Sequence, residues 1–597
     1  MKLTVALRPD RNRDDLGSHI SRRLKEGIFE DSLSSSRVRD RAGRVLLIVP
    51  YYTRIKRPLD LVKESVQTWG KECLEEDLDF INSLKEKGVS SLNEMKRAGV
   101  PMGLLRVGTA AKKAGYDVKV LDAVFEGWND ERRYFESESG SSIFLYGLTK
   151  NKIAEKIREY CPDVVGISID YSHQWGNARE VADLIKRIDE KIPVVVGGTH
   201  ATGLPGDVLF DSPSDYVVLR QADKTFVDLL DALTKRTKPL EEVKGIAFRK
   251  EGKLVRTSPR AFLSDIDEIS IPDLSLVNLN LYSGPFHSAG KRVVSYGKLM
   301  YGFTSVGCDV RCTFCTIPPV QGGYKAVGCA TLEDYLKYVI SEGVSEFIVE
   351  DDHLFSDPER ALEVFALLRK YNLPWVEEGG IGLFSLIALL PEVSEEYILK
   401  SVNNPLVFEK ALNAKRRGLS AEELIRAMSE SGCYSAYLAV ESANEQALDT
   451  SHKPLLNSQV DYTKKVVNLL DKYKIKTTAG LMLGFVNPDR GLYVESRRNI
   501  ERTIEYGRVL KEAGITYVNP FIFTPLPGAP HFRSLEKYVI PNTDESFSHE
   551  FGSIDAPNGE WNRDHLNLLR TKALIKSNGV AAYKRILETG TWPVETV

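Results

Sequence analysis

No apolar run in this chain approaches the roughly 20 residues needed to cross a bilayer; the longest, such as residues 384–390, stop far short. The N-terminus, Met1-Lys2-Leu3-Thr4-Val5-Ala6-Leu7-Arg8-Pro9, lacks the apolar core of a secretory signal. Neither sign of charge dominates. With 80 basic and 83 acidic residues the formal net charge is −3, which gives no electrostatic footprint for nucleic acid or an anionic membrane. Cysteine is scarce, seven unevenly spaced residues in 597, so no disulfide framework is laid out and a reducing cytoplasm is the expected location. What remains is chemistry on a small molecule or a peptide.

A chain of 597 residues with 42% apolar content is expected to form two or three domains with well-buried cores. Residues 1–43 are polar and charged and read as an extension. From Arg44 short β-branched runs alternate with helical stretches: Val45-Leu46-Leu47-Ile48-Val49, Val118-Lys119-Val120-Leu121, Val164-Val165-Gly166-Ile167-Ser168-Ile169 and Val194-Val195-Val196. This alternation predicts a doubly wound, mostly parallel α/β sheet. Ligands of such sheets sit beyond the strand carboxyl ends. That edge carries Asp170-Tyr171-Ser172-His173 and Gly197-Gly198-Thr199-His200-Ala201-Thr202-Gly203. Paired glycines there let backbone approach a ligand closely, or simply form a strand-to-helix turn.

The densest chemical signal is Gly307-Cys308-Asp309-Val310-Arg311-Cys312-Thr313-Phe314-Cys315, three of the seven cysteines within one tight loop after an apolar strand. Three thiolates, Cys308, Cys312 and Cys315, can hold three irons of a cubane cluster and leave the fourth open to a small chelating molecule. Zinc is the alternative, but it wants a fourth ligand, and the nearest candidates, Cys329 and His353, repeat no pattern. Strands at Glu346-Phe347-Ile348-Val349, Trp375-Val376, residues 436–440, 477–483 and 517–523 bring the count with the strand before Cys308 to six. Six right-handed strand–helix units curve into most of a barrel, with the reacting end at the strand carboxyl termini. Asp357-Pro358 reads as the start of a helix, which frees the preceding acidic triplet Glu350, Asp351 and Asp352 for another task, such as accepting hydrogen bonds from an ammonium group.

The Cys-x-x-x-Cys-x-x-Cys spacing with Phe314 before the last cysteine resembles the signature of the radical S-adenosylmethionine (SAM) superfamily. The front half, through Pro101-Met102-Gly103-Leu104-Leu105, Gly166-Ile167-Ser168 and Val196-Gly197-Gly198-Thr199-His200-Ala201, looks like the cobalamin-binding domain that precedes one subgroup of it. The match spans about residues 44–532. It implies an N-terminal Rossmann-like cobalamin-binding domain over 44–235, a connector over 236–290 and a (βα)6 partial TIM barrel over 291–535. An insertion at about 381–420 would lie over the mouth or be a peripheral helical excursion, and 536–597 would be a helical C-terminal region, a lid or a cap.

The resemblance also implies the cofactors, a [4Fe-4S] cluster, SAM and cobalamin. It assigns Phe314, Glu350, Asp351, Asp352, Glu441, Ser442, Gly480 and Gly484 to SAM and Ser168, Gly197, Gly198, Thr199 and His200 to cobalamin. The Asp-x-His-x-x-Gly that carries a cobalt-ligating histidine in methionine-synthase-like proteins is missing, so cobalamin is expected without a histidine lower ligand and His200 near its nucleotide tail or in a polar loop. Tyr301, Tyr324, His353 and Tyr437 are candidates for handling a proton or a radical. The implied reaction is methyl transfer from SAM, through cobalamin, to an unactivated carbon or phosphorus, with electrons from a flavodoxin or ferredoxin. A cyclisation, rearrangement or oxidation without net methyl transfer is the alternative, and a non-catalytic cobalamin sensor a third. No second cysteine triplet precedes the barrel, which disfavours a methylthiotransferase.

Overall fold

β-Branched runs place five parallel strands side by side in the order Asp117–Asp122, Arg44–Val49, Val164–Ser168, Val194–Gly197, Tyr216–Val218. The strand order reverses between Arg44–Val49 and Val164–Ser168, the point at which doubly wound sheets bind their ligands. Tight packing there is visible at Gly166, where a Cβ would come within 2.7 Å of Leu47 Cδ2. The computed structural model describes residues 43–68, 75–269, 271–283, 297–401, 405–454, 459–540 and 547–590. The predicted extension and the Gly284-Pro285 break lie outside them, and the described residues belong to one compact unit that begins at Gly43.

The first sheet does not end near residue 235. Ile246–Lys250 pairs antiparallel with Tyr216–Val218, and Lys253–Arg256 follows as its hairpin partner. A hairpin within the predicted connector is therefore sheet. The connector's remainder is anchored to the same unit, since the Tyr282 hydroxyl donates to Asp122 at 2.9 Å and Leu276 packs over Gly108.

Sequence reading missed a four-stranded antiparallel sheet, Ser91–Asn93, Tyr52–Pro58, Ser142–Tyr146 and Arg132–Glu136. Tyr52–Pro58 has the sequence YTRIKRP, with one aliphatic residue, so no apolar alternation shows. Its buried arginines are paired instead: Arg54 with Glu131 at 2.6 Å, and Arg57 with Asp564 through two bonds of 2.6 and 2.9 Å.

The six predicted strands form one parallel sheet in chain order: Lys298–Gly302, Val344–Val349, Trp375–Ile381, Cys433–Glu441, Lys476–Leu483 and Tyr517–Ile522. Asp357 caps Pro358–Tyr371 by accepting from the Arg360 N–H at 3.2 Å, as the sequence indicates. The segment at 381–420 belongs to the outer helical layer. Leu383–Ala388 is buried throughout and packs on Glu409–Arg416, Ala421–Glu430 and Gln459–Lys472, because its near-continuous apolar surface requires cover on all sides. The C-terminal region is a cap. Arg563–Asn578 lies along the open edge of the sixth strand, where the Asn578 amide bonds Val518 N at 3.0 Å and Val518 O at 2.7 Å, satisfying groups an edge strand leaves unpaired. Among the described residues no helix is long and apolar enough to cross a membrane.

Candidate active site

The cysteine loop leaves the first barrel strand through Ser305–Val306, which pairs with Lys325–Ala326. Gly307 turns the chain at φ +80°, where any Cβ would collide with the Gly323 carbonyl, and Cys308 N–H then donates to Gly322 O at 3.2 Å. Arg311 also takes a left-handed conformation, φ +57°, so that Cys312 and Cys315 fold back and Cys315 N–H reaches Cys312 O at 3.1 Å. Thr313 N–H donates to Ser451 O and His531 N–H to Thr313 O. The loop is thereby tied to the ends of the fourth and sixth strands.

Burial pushes the Cys308 thiol up to about 11 and the Cys312 thiol up to about 12, the neighbouring Cys308 also raising Cys312. Lys453 pairs with Glu441 at 2.8 Å and acts on both Cys312 and Cys308. The alternative zinc ligands are elsewhere engaged. Cys329 is at the surface against Glu363 Oε2 at 3.5 Å, and the buried His353 ring lies against Phe384 at 4.9 Å. Three free thiols on one loop are the donor chemistry of a three-thiolate cluster.

Two members of the acidic triplet build this loop. Asp351, fully buried, accepts from Thr304 N at 2.6 Å, from the Thr304 hydroxyl and from the Ser305 hydroxyl at 2.6 Å; Asp352 accepts from Gly307 N at 2.6 Å. Asp351, assigned to SAM from the sequence, is thus occupied by three donors of the chain. Glu350 faces the barrel lumen, hydrogen-bonded to Glu378, to which the Tyr301 hydroxyl donates at 3.4 Å. Glu441 ends the fourth strand at φ +66°, beside Lys453. Ser442 departs from its assignment. Its hydroxyl is 3.0 Å from that of Thr503 on the outer helix Arg497–Glu512 and accepts from Asn444 N, because the backbone turns outward after Glu441.

Gly480, on the fifth strand, leaves room for the Tyr437 ring, which a Cβ would strike. Gly484 follows at φ +78°, its N–H donating to Glu495 Oε2 at 2.9 Å, and Phe485 packs edge-on against Phe314 at 6.1 Å. Glu495 also accepts from Phe485 N at 3.1 Å, and burial pushes its carboxyl from 4.5 up to about 7. With the folded value above the unfolded one, the proton is held more tightly in the folded chain. The resulting stabilisation is complete below about pH 4.5 and is lost as pH rises through about 7. Unfolding of wild type and Glu495→Gln at about pH 5 and pH 8 is expected to show wild type losing on the order of 2–3 kcal/mol relative to the variant across that window.

At the switch point of the first sheet Ser168, Gly197, Gly198 and Thr199 line a cleft together with Leu47, Val195 and Phe226, and with Val320 and Gln321 from the helix that follows the cysteine loop. Gly198 runs at φ +105°, and a Cβ there would collide with the Ile169 carbonyl. Side chains at Gly103 and Gly197 would meet little but open space and so fill the cleft. A cradle kept open by glycines, with apolar side chains in its lining, fits a large planar cofactor and its tail. His200 does not line it. The ring is 2% exposed and stacked on Trp175 at 5.4 Å with both nitrogens unbonded, so it sits in the core rather than in a polar loop.

Of the four candidate reactive side chains, Tyr301 and Tyr437 reach the lumen. Tyr324 stands beside the cysteine loop under Lys410, whose ammonium is 4.4 Å from its ring, and His353 is core. The sequence did not single out Glu378, Arg97 or Asn519. Arg97, paired with Glu550 at 2.8 Å, lies 5.2 Å over the Phe521 ring and acts on Tyr171, which is 42% exposed although burial raises its hydroxyl to about 12.

A six-strand partial barrel with a three-cysteine loop at its mouth defines a radical SAM protein, and the family model of the Radical SAM superfamily matches residues 303–495. The B12 binding domain matches residues 92–230, ahead of it. The chain thus carries a B12 binding domain followed by a radical SAM domain, and the cofactors of these domains are cobalamin for the first and a [4Fe-4S] cluster with SAM for the second.

Two relatives run along most of it. The cytidylyl-2-hydroxyethylphosphonate methyltransferase of Streptomyces wedmorensis is 25% identical over 80% of this chain and 86% of its own. An uncharacterized methyltransferase of Pyrococcus horikoshii is 26% identical over 74% and 79%. Among solved structures, the radical S-adenosylmethionine methyltransferase TsrM from Kitasatospora setae, with cobalamin and a [4Fe-4S] cluster bound, shares the fold at a TM-score of 0.50, with 16% identity over 83% of this chain and 75% of its own.

Proposed function

We propose that this enzyme transfers a methyl group from SAM, through cobalamin, to an unactivated carbon, or to phosphorus, of a small metabolite or peptide. The observation that carries this reading is that the glycine-lined cleft is bounded by Val320 and Gln321, on the short helix Ile317–Gln321 that directly follows the cysteine loop. Both long relatives named above are methyltransferases. When bound, the cofactors supply the electron, the radical and the methyl group. The chain's part is to hold and exclude. Cys308, Cys312 and Cys315 would grip the cluster, and Asp352, Glu441, Phe314 and the turn from Gly480 to Gly484 would hold SAM beside it. Ser168, Gly197, Gly198 and Thr199 hold the cobalamin, while Tyr171, Tyr301 and Tyr437 screen the space between from water. Electrons come from a flavodoxin or ferredoxin in the cytoplasm.

Anoxic reconstitution with SAM and cobalamin, followed by product analysis, tests the reading. Methylation yields 5′-deoxyadenosine, S-adenosylhomocysteine and a product heavier by about 14 mass units. A product of unchanged or lower mass, with 5′-deoxyadenosine alone, would replace it by a cyclisation or oxidation.

A further inference from the structure

The lumen is lined by acceptors. Glu350, directly after the second strand, and Glu378, on the third, share a hydrogen bond and are half-buried. Two adjacent carboxylates in such a place cannot both ionise without a cation between them. A second, independent feature lies on the sixth strand. Asn519 is only 4% exposed, and its Oδ1 has no hydrogen-bond partner. Asn519 stands in register with Gly480, over which the Tyr437 ring is laid, and two residues further along the same strand is Phe521 under Arg97. Residues in register on neighbouring strands share a face, so the Asn519 amide is turned into the same lumen as Tyr437. A buried carbonyl left without a donor requires one from outside the chain.

We infer that the lumen takes a substrate carrying a protonated amine, bound through its N–H donors to Glu350 and Glu378, and a further hydroxyl or amine that donates to Asn519. The inference rests on the barrel being the reaction chamber proposed above. It names the substrate class, an amino alcohol or diamine, and excludes simple carboxylates. Ammonium-to-carboxylate bonds are charge-assisted, and the lumen's low dielectric strengthens them. Arg97 does not offset the two acids, since its guanidinium is turned to Glu550.

Thermal unfolding of the full chain, anoxically loaded with cluster and cobalamin, is measured against three probes of equal length: 4-aminobutan-1-ol, butane-1,4-diol and 4-hydroxybutyrate. The amino alcohol alone is expected to raise the midpoint. Glu378→Gln and Glu350→Gln should each weaken its binding at least about tenfold, and Asn519→Asp should tighten it. Iron and cobalamin content are measured for each variant. Full cofactor loading with equal response to all three probes, preference for the carboxylate, or unchanged amine binding in both glutamine variants would overturn the inference alone. A wild-type chain that takes up neither iron nor cobalamin would overturn the functional reading as well.

Discussion

Cys312→Ala is expected to reduce iron after anoxic reconstitution from about four per chain to below about one, and to lower SAM cleavage by about a thousandfold or more. Cys312 is the middle ligand and the buried one; its loop is fixed by the left-handed turn at Arg311 and by the Thr313 bond to Ser451. Alanine retains those backbone bonds and removes one small side chain, so the fold survives while the cluster loses a corner. Far-UV circular dichroism and cobalamin uptake should remain those of wild type, which separates loss of a ligand from loss of structure. Iron retained at the wild-type level would show that the three cysteines do not act as one ligand set.

Asp351→Ala is expected to act through the scaffold. The carboxylate is fully buried and satisfies one backbone N–H and two hydroxyls at the root of the cysteine loop. Its removal strands three donors, at a cost of about 3–5 kcal/mol, and lets the loop shift. Denaturant unfolding should show that loss, with cluster incorporation reduced in parallel. Asp351→Asn keeps a carbonyl acceptor for part of the set and should lose about half as much. A variant as stable as wild type would mean that Thr304 and Ser305 find other acceptors.

The cysteine loop was legible because its chemistry is concentrated in adjacent residues, and the strands because β-branched runs bounded by glycine, proline and acids recur at regular distances. Legibility failed where a side chain's task is set by partners remote in sequence. Nothing near Arg57 announces Asp564. The third barrel strand shows only Trp375-Val376 as an apolar run, yet continues to Ile381 through acids and glycines, the buried Glu377 accepting from Gly380 N at 2.7 Å and from Tyr437 N at 3.3 Å. Asp351 and Ser442 have the residue types expected for a ligand, but one holds the loop and the other the outer helix. His200 follows the glycine pair at the right edge, and only the placement of Trp175 shows that its ring turns into the core.

Electron paramagnetic resonance of the anoxically reconstituted, chemically reduced protein tests the cysteine assignment most directly. A three-thiolate cubane with an open iron gives a reduced-cluster signal that shifts when SAM is added, and the signal is absent in Cys312→Ala. A protein that carries zinc in place of iron, or whose cluster signal ignores SAM, would contradict it.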